Sequence, residues 1–350
     1  MLRGYLLIAA CLFVLGCAQE RAPQSEADLS VIMVTNVGGL GDKGFNDASW
    51  KGCQEAQSRL AEQGVTMKLD LIESRDQTDY GPNLTLAAER ADLVVGIGFM
   101  IADALREVAQ NSPQTQFLYI DGQIDAPNVA SYAFRGEEGG MLAGILATSM
   151  TQSGVIAAVP GMEIPPVMDF ERGYRYGAQV GAALQGKAVE VLSSTIGSFN
   201  DPVKGRSVGQ SLLNQEADVL FQLAGNSGLG VIEAVQEAGS AHYVIGVDID
   251  QDDVAPGVIL TSVLKRMDRV VADKIVAFHK GEFETGAFEV GLKEGYISLT
   301  DMRHTKDQVP ADALEHIEQA KQLISEGAVT IPAPPFDEAQ IQQAAERFRP

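Results

Sequence analysis

The chain has 350 residues, 45% of them hydrophobic and 36 of them glycine, enough for one large or two medium domains with real cores. Its formal net charge of −21 at pH 7 excludes nucleic acid or an anionic lipid surface as the natural partner of the body. Three cysteines, two of them within the first 17 residues, exclude a disulfide framework in an exported domain.

The N-terminus reads as a targeting segment. Arg3 supplies the positive start, and residues 6–15 form an apolar run too short to span a bilayer stably. The run ends in Val14-Leu15-Gly16-Cys17, which resembles a bacterial lipobox. Residues 1–16 are therefore expected to be a signal peptide, with Cys17 carrying the lipids, and residues 17–28 a polar, flexible tether. This places the protein in the bacterial cell envelope, anchored on the periplasmic or outer face of a membrane. Cys53 lies in a helix pattern and reads as a small buried residue.

The first strand, 31–34, ends at Thr35-Asn36. A glycine-rich turn (Gly38, Gly39, Gly41) then leads into Asp42-Lys43-Gly44-Phe45-Asn46-Asp47. In an open α/β sheet, ligands sit at the carboxyl ends of strands. This end carries an aromatic, two amides and two carboxylates but no nucleophile–base pair, so it reads as half of a binding cleft. Helices are predicted over 48–63, 81–90, 101–110 and 137–150, and strands over 67–72, 93–98, 116–121 and 130–134.

The pattern then begins again. Strands over 154–159, 190–194, 219–223 and 243–248 alternate with helices over 167–185, 202–215 and 229–238. Strand-like runs at 258–264 and 289–299 and helices at 268–280 and 311–326 follow. The halves echo one another: Phe45-Asn46-Asp47 recurs as Phe199-Asn200-Asp201, and Gly98 precedes Asp121 by the same 23 residues that separate Gly225 from Asp248. The expectation is an α/β protein of two doubly wound Rossmann-like lobes with a hinge and a cleft. The N-terminal lobe would take 29–133 plus about 265–288, and the C-terminal lobe 134–264 plus about 289–350.

Five motifs in order carry a family resemblance: Asp42-Lys43-Gly44-Phe45-Asn46, Phe199-Asn200-Asp201-Pro202, Gln222-Leu223-Ala224-Gly225, Gly246-Val247-Asp248 and the run from Leu260 through Thr261-Ser262-Val263-Leu264-Lys265 to Arg266. Together they resemble the basic membrane lipoprotein family, and within it the PnrA-like purine-nucleoside receptors. These are lipid-anchored substrate-binding proteins of ABC transporters with the type I periplasmic-binding-protein fold. The resemblance implies a small-molecule ligand, a permease and an ATPase as partners, and a monomer without cofactor or metal. It also implies that Phe45 and Phe199 sandwich the base, Asp121 reads the base edge, and Asp248 with Lys265 holds the ribose hydroxyls. Gly225 would allow close approach, and Asn36 and Asn46 would make further contacts. Asn36 stands where the family usually has Asp, and Gly44 where Ser is common, so the base remains open among guanosine, inosine, adenosine or even a pyrimidine.

The residue types suit that use independently. A base stacked on an aromatic ring gains roughly 1–3 kcal/mol, and an ionised carboxylate accepts from N–H or paired hydroxyls in charge-assisted bonds. Several carboxylates with one lysine would repel phosphate. Plainer uses are expected for some neighbours: Asp201-Pro202 as an N-cap followed by proline, Asp47 as a turn or cap residue, and Trp50 and the methionines as core. Asp121-Gly122 also reads as a turn signal, and Lys265 as a helix-start charge, although a cation is unfavourable there.

An enzyme is the first rival reading, but His242, His279, His304 and His316 lack metal-ligand spacing. Gly225 to Gly230 also lacks the spacing of a dinucleotide loop. The other rivals are the same fold holding a sugar, riboflavin or another small molecule, and a ligand sensor.

Overall fold

The structure, a computed structural model, describes residues 27–349; the predicted leader, Cys17 and most of the tether lie outside the described residues. The first half runs β1 (Leu29–Val34), α1 (Phe45–Ala61), β2 (Met67–Ile72), α2 (Tyr80–Ala88), β3 (Leu93–Ile97), α3 (Ala102–Asn111), β4 (Gln116–Ile120) and β5 (Val129–Phe134). The second runs α4 (Gly136–Met150), β6 (Val155–Pro160), α5 (Pro165–Gln185), β7 (Glu190–Ser193), α6 (Pro202–Leu213), β8 (Val219–Leu223), α7 (Asn226–Ala238), β9 (Tyr243–Asp248) and β10 (Ile259–Lys265). Then follow α8 (Met267–His279), β11 (Gly286–Val290), β12 (Ile297–Leu299), α9 (Ala311–Ser325) and α10 (Glu338–Arg347).

Two six-stranded sheets result, ordered β11-β5-β4-β3-β1-β2 and β12-β10-β9-β8-β6-β7. β10 with β12 is antiparallel, and the other pairings are parallel. Helices cover both faces, which is why the central strands read as unbroken apolar runs. Val31 and Met33 of β1 share a core with α1 and α8, while Ile32 and Val34 share one with α2 and α3.

Three departures from the predicted elements have local causes. α1 begins at Phe45, three residues earlier than predicted, because Asp42 accepts the backbone N–H groups of Gly44 (3.0 Å), Asn46 (2.8 Å) and Asp47 (3.2 Å) and so caps the first turn. The predicted strand 289–299 is two strands on different sheets, broken between Gly291 and Gly295, where the chain passes from one lobe to the other. α10 lies beyond the predicted elements; it buries Ile341, Ala344 and Ala345, a short apolar stripe in an otherwise polar helix. Most methionines are at least partly buried, but Met168 is exposed and Trp50 only half-buried, contrary to the expectation that all are core.

The chain crosses between the sheets three times, after β5, after β10 and between β11 and β12. Arg135 ties the first crossing to the third: its guanidinium donates to Glu138 (2.7 Å) and Glu294 (2.5 Å), and its amide donates to the Val290 carbonyl (2.9 Å). The Arg266 amide donates to the Tyr296 carbonyl (2.8 Å), which joins the second crossing to the third.

α4 and α5 pack backbone to backbone through paired glycines. A Cβ on Gly140 or Gly144 of α4 would lie 2.1 or 2.2 Å from the carbonyl oxygen of Phe170 or Tyr174. One on Gly173 or Gly177 of α5 would lie 2.0 or 2.1 Å from that of Glu137 or Met141. Gly177→Ala must therefore push the helices apart and should destabilise the fold by about 2–3 kcal/mol. Equilibrium urea unfolding measures this, and an unchanged midpoint would show that the crossing is looser than described.

Candidate functional site

The carboxyl ends of the two sheets meet across a cleft that encloses about 650 Å³ of space, part of it open to solvent. The eight residues that the resemblance assigns to ligand contact line it: Asn36, Phe45, Asn46 and Asp121 from the first lobe, and Phe199, Gly225, Asp248 and Lys265 from the second. The 23-residue echo has a structural counterpart. Gly98 (φ +99°), Asp121 (+87°), Gly225 (+55°) and Asp248 (+69°) all turn left-handed just past or at the ends of β3, β4, β8 and β9. For a non-glycine residue this conformation costs on the order of 1 kcal/mol, and it is found at sites that the surroundings over-determine.

Two asparagines present opposite ends of their amides. Asn36 Oδ1 accepts from the Tyr80 hydroxyl (2.7 Å) and the Val37 amide (2.8 Å), so Nδ2 is the end without a hydrogen bond among the described residues. Gly98 lets this side chain lie against the backbone, since a Cβ there would stand 2.8 Å from the Asn36 amide group. Asn46 Nδ2 donates to Asp42 (3.0 Å), which leaves Asn46 Oδ1 buried and unpartnered. Sequence reasoning placed Asp42 in the motif without a task. It caps α1 and orients Asn46, and burial pushes its carboxyl above the usual range against the pull of those bonds.

Lys265 is 3% exposed and pairs with Asp121 of the other lobe. Its ammonium lies 5.2, 5.1 and 5.8 Å from the ring centres of Phe45, Phe134 and Phe170. The resemblance pairs Lys265 with Asp248 at the ribose, and both line the cavity, where the lysine's charge acts to lower the Asp248 carboxyl; the plainer reading of Lys265 as a solvated helix-start charge is corrected by its burial. In the parallel register Leu264 stands beside Asp248, so the next side chain, Lys265, turns to the opposite face of the strand and towards the first lobe. Phe134 and Phe170 were missed because each reads as ordinary core. The signal that could have found them is the need of a buried ammonium for aromatic faces.

Asp248 is partly open to the cleft, and its carboxylate makes no hydrogen bond among the described residues. Its carboxyl is pushed up to about 7, chiefly by burial; Lys265 opposes the rise, and Asp121 and Asp42 add to it. Phe199 is half-buried in the second lobe and rests on Gly161, where a Cβ would lie 2.4 Å from the ring. The flanking residues have their plain uses: Asp201 caps α6 by accepting from the Lys204 amide (2.9 Å), and Asp47 accepts from the amides of Gly41 (2.8 Å) and Lys43 (3.0 Å). Cys53 is buried and its thiol is held far above the usual range, so it is inert.

Among the described residues no helix is long and apolar enough to cross a membrane, and no group of three His, Cys, Asp or Glu is placed to hold a metal.

The raised Asp248 makes a pH prediction. Below the ordinary aspartate value of 3.8, folded and unfolded chains both hold the proton. Between there and about 7 only the folded chain keeps it, so stability falls as pH rises, and the loss is complete above 7. Asp248→Asn should remove this slope. The variant should match the parent at pH 4 and exceed it by about 2–4 kcal/mol at pH 8. Chemical denaturation at both pH values decides, and equal stability at pH 8 would contradict the assignment.

Comparison with known proteins agrees with this geometry. The family profile described as "ABC transporter substrate-binding protein PnrA-like" matches residues 29–334. An uncharacterised lipoprotein of Pyrococcus furiosus is 34% identical over 335 residues, covering 89% of this chain and 82% of that protein. The ABC transporter nucleoside-binding protein BmpA of Lactococcus lactis is 28% identical over 351 residues, covering 94% and 97%. The crystal structure of an ABC transporter solute-binding protein from Aeropyrum pernix superposes with a TM-score of 0.81 at 29% identity, covering 91% of this chain and 97% of that one.

Proposed function

This chain belongs to the PnrA-like family of ABC-transporter substrate-binding proteins, and from that premise we propose that its cleft takes a purine nucleoside. As a substrate-binding protein it carries a small molecule to a membrane permease and its ATPase. The observation that carries the nucleoside reading is the pairing of two half-buried phenyl rings, Phe45 and Phe199, from opposite lobes with the unpartnered Asp248 carboxylate in one cavity. The rings supply stacking faces for a base, and the carboxylate can accept from the two ribose hydroxyls. Asn36 Nδ2 and Asn46 Oδ1 add one donor and one acceptor. These suit a purine edge that carries both kinds of group. The second oxygen of Asp121 remains for a ring N–H, and Lys265 holds that carboxylate in place.

Phosphate does not suit the lining. Asp42, Asp121 and Asp248 all face the cavity, and among the described lining residues the one cation, Lys265, is already paired. The description of the Lactococcus relative as nucleoside-binding supports the same ligand class, and the description of the Pyrococcus relative as a lipoprotein supports an anchor at Cys17. The lobes, 29–134 with 267–290 and 136–265 with 297–349, would close as units about the three crossings, and the closed form would be the one the permease recognises.

A thermal-shift screen against nucleosides, free bases, nucleotides, sugars and riboflavin tests this reading, because a ligand of the folded state raises its melting temperature. Guanosine or inosine should stabilise the protein, and their monophosphates should not. A hit confined to sugars or riboflavin would replace the substrate and keep the receptor. Asp248→Ala should weaken nucleoside binding by roughly 2–4 kcal/mol while the protein stays folded. Since bound hydroxyls favour the ionised carboxylate, guanosine affinity should rise as pH is raised from 6 to 8 and flatten above about 7, a dependence absent from Asp248→Asn. Incubation with nucleoside should release no free base.

A further inference from the structure

Gln251 lines no part of the cleft, yet it is 1% exposed and joins the two lobes. Its Nε2 donates to the backbone carbonyl of Lys43 (2.8 Å), a residue of the other lobe. Lys43 (φ +48°) sits in the turn that delivers Asp42, Phe45 and Asn46 to the cavity. The rest of the Gln251 amide is committed within its own lobe. Oε1 accepts from Gln222 Nε2 (2.8 Å) and from the Val247 amide (3.2 Å), and the Gln251 backbone amide donates to Ser262 Oγ (3.0 Å). With Oε1 used twice inside the second lobe, Nε2 has to face the first.

The second lobe is shaped around this relay. A Cβ on Gly246 would lie 2.5 Å from Gln251 Oε1, and one on Gly228 would lie 1.9 Å from Gln222 Oε1. Gln222 is itself fully buried, and its Oε1 accepts the Ala224 amide (3.2 Å), just before Gly225 and the cavity. Two buried amides thus run from the strand end beneath the cleft to a backbone carbonyl across it.

We propose that Gln251 is a closure latch: a positioning residue that stabilises the closed arrangement of the lobes by donating to the Lys43 carbonyl, without touching the ligand. The bond exists only when the lobes are together, so it shifts the open–closed equilibrium in favour of closure. Any ligand that needs the closed cleft then gains the same factor in affinity. The latch also sets the position of the turn carrying Phe45 against the second lobe. The inference rests on reading the cleft as a ligand site that closes.

Gln251→Glu is the sharpest variant. It keeps the size and the acceptor that Gln222 and Val247 use, and it turns the interlobe donor into an oxygen facing a carbonyl. Gln251→Met removes the donor without adding charge, and it carries the decision if the glutamate variant does not fold. Two measurements on the full chain are needed: guanosine and inosine binding kinetics, and the distance between spin labels at exposed Gln77 and Val203, which lie on opposite lobes. The expected result is about a tenfold loss of affinity through faster dissociation, with the guanosine-to-inosine ratio unchanged and label distances longer than in the parent. Affinity within twofold of the parent together with unchanged label distances would overturn the latch. A change in the ratio between the two nucleosides would overturn it too, by making Gln251 a contact residue. If the parent binds neither nucleoside, the nucleoside reading fails and the label distances alone decide the latch.

Discussion

A buried ammonium at the end of β10 has to find a counter-charge, and it finds it in the other lobe. The Lys265–Asp121 pair lies beside the second hinge crossing, walled by the rings of Phe45, Phe134 and Phe170. Removing two charges from water costs several kcal/mol per ion, and mutual attraction offsets this only when geometry and surroundings are favourable. Aromatic faces add on the order of 2 kcal/mol for a desolvated cation. The pair is therefore weak evidence for stability and good evidence for position. It holds one carboxylate at the cleft floor, while the Asp248 carboxylate, within reach of the same lysine's charge, makes no hydrogen bond among the described residues. Burial raises the Asp248 carboxyl, and the charge of Lys265 offsets only part of that rise.

The lobes are built alike, and the likeness is chemical as well as topological. In each, a glycine and an aspartate turn left-handed at or just past the ends of neighbouring strands. Glycine does so freely, but aspartate has to be held. For Asp121 the hold includes its amide, which donates to the Tyr132 carbonyl at 2.8 Å. Such turns aim a short carboxylate from the sheet end into the cleft. A helical or extended backbone would aim it elsewhere, which ties the local strain to the presentation of the acid.

Around this floor the polar groups divide into spent and unspent. Asp42 is spent on the first turn of α1, Asn36 Oδ1 on Tyr80 and Val37, and one oxygen of Asp121 on Lys265. Asn36 Nδ2, Asn46 Oδ1 and the whole of the Asp248 carboxylate are unspent. A buried group without a partner, such as Asn46 Oδ1, is unfavourable in a finished fold, and all three groups belong to residues that line one cavity between the lobes.

Much of this was legible in the sequence. Period and turn signals determined an alternating α/β chain in two halves, and the paired echoes at 45–47 and 199–201, with the matching glycine–aspartate spacing, marked the strand ends that form the cleft. They succeeded because strand ends and turns are governed by nearby residues. Tertiary structure decided the rest. It alone split 289–299 between two sheets, paired Lys265 with Asp121, recruited Phe134 and Phe170 as aromatic walls, and set Gln251 against the Lys43 carbonyl 208 residues away. Each depends on which face of a strand a side chain leaves from, or on how two lobes dock. Neither is carried by local pattern, because a one-residue step in register reverses the face and no nearby residue records the partner across the cleft.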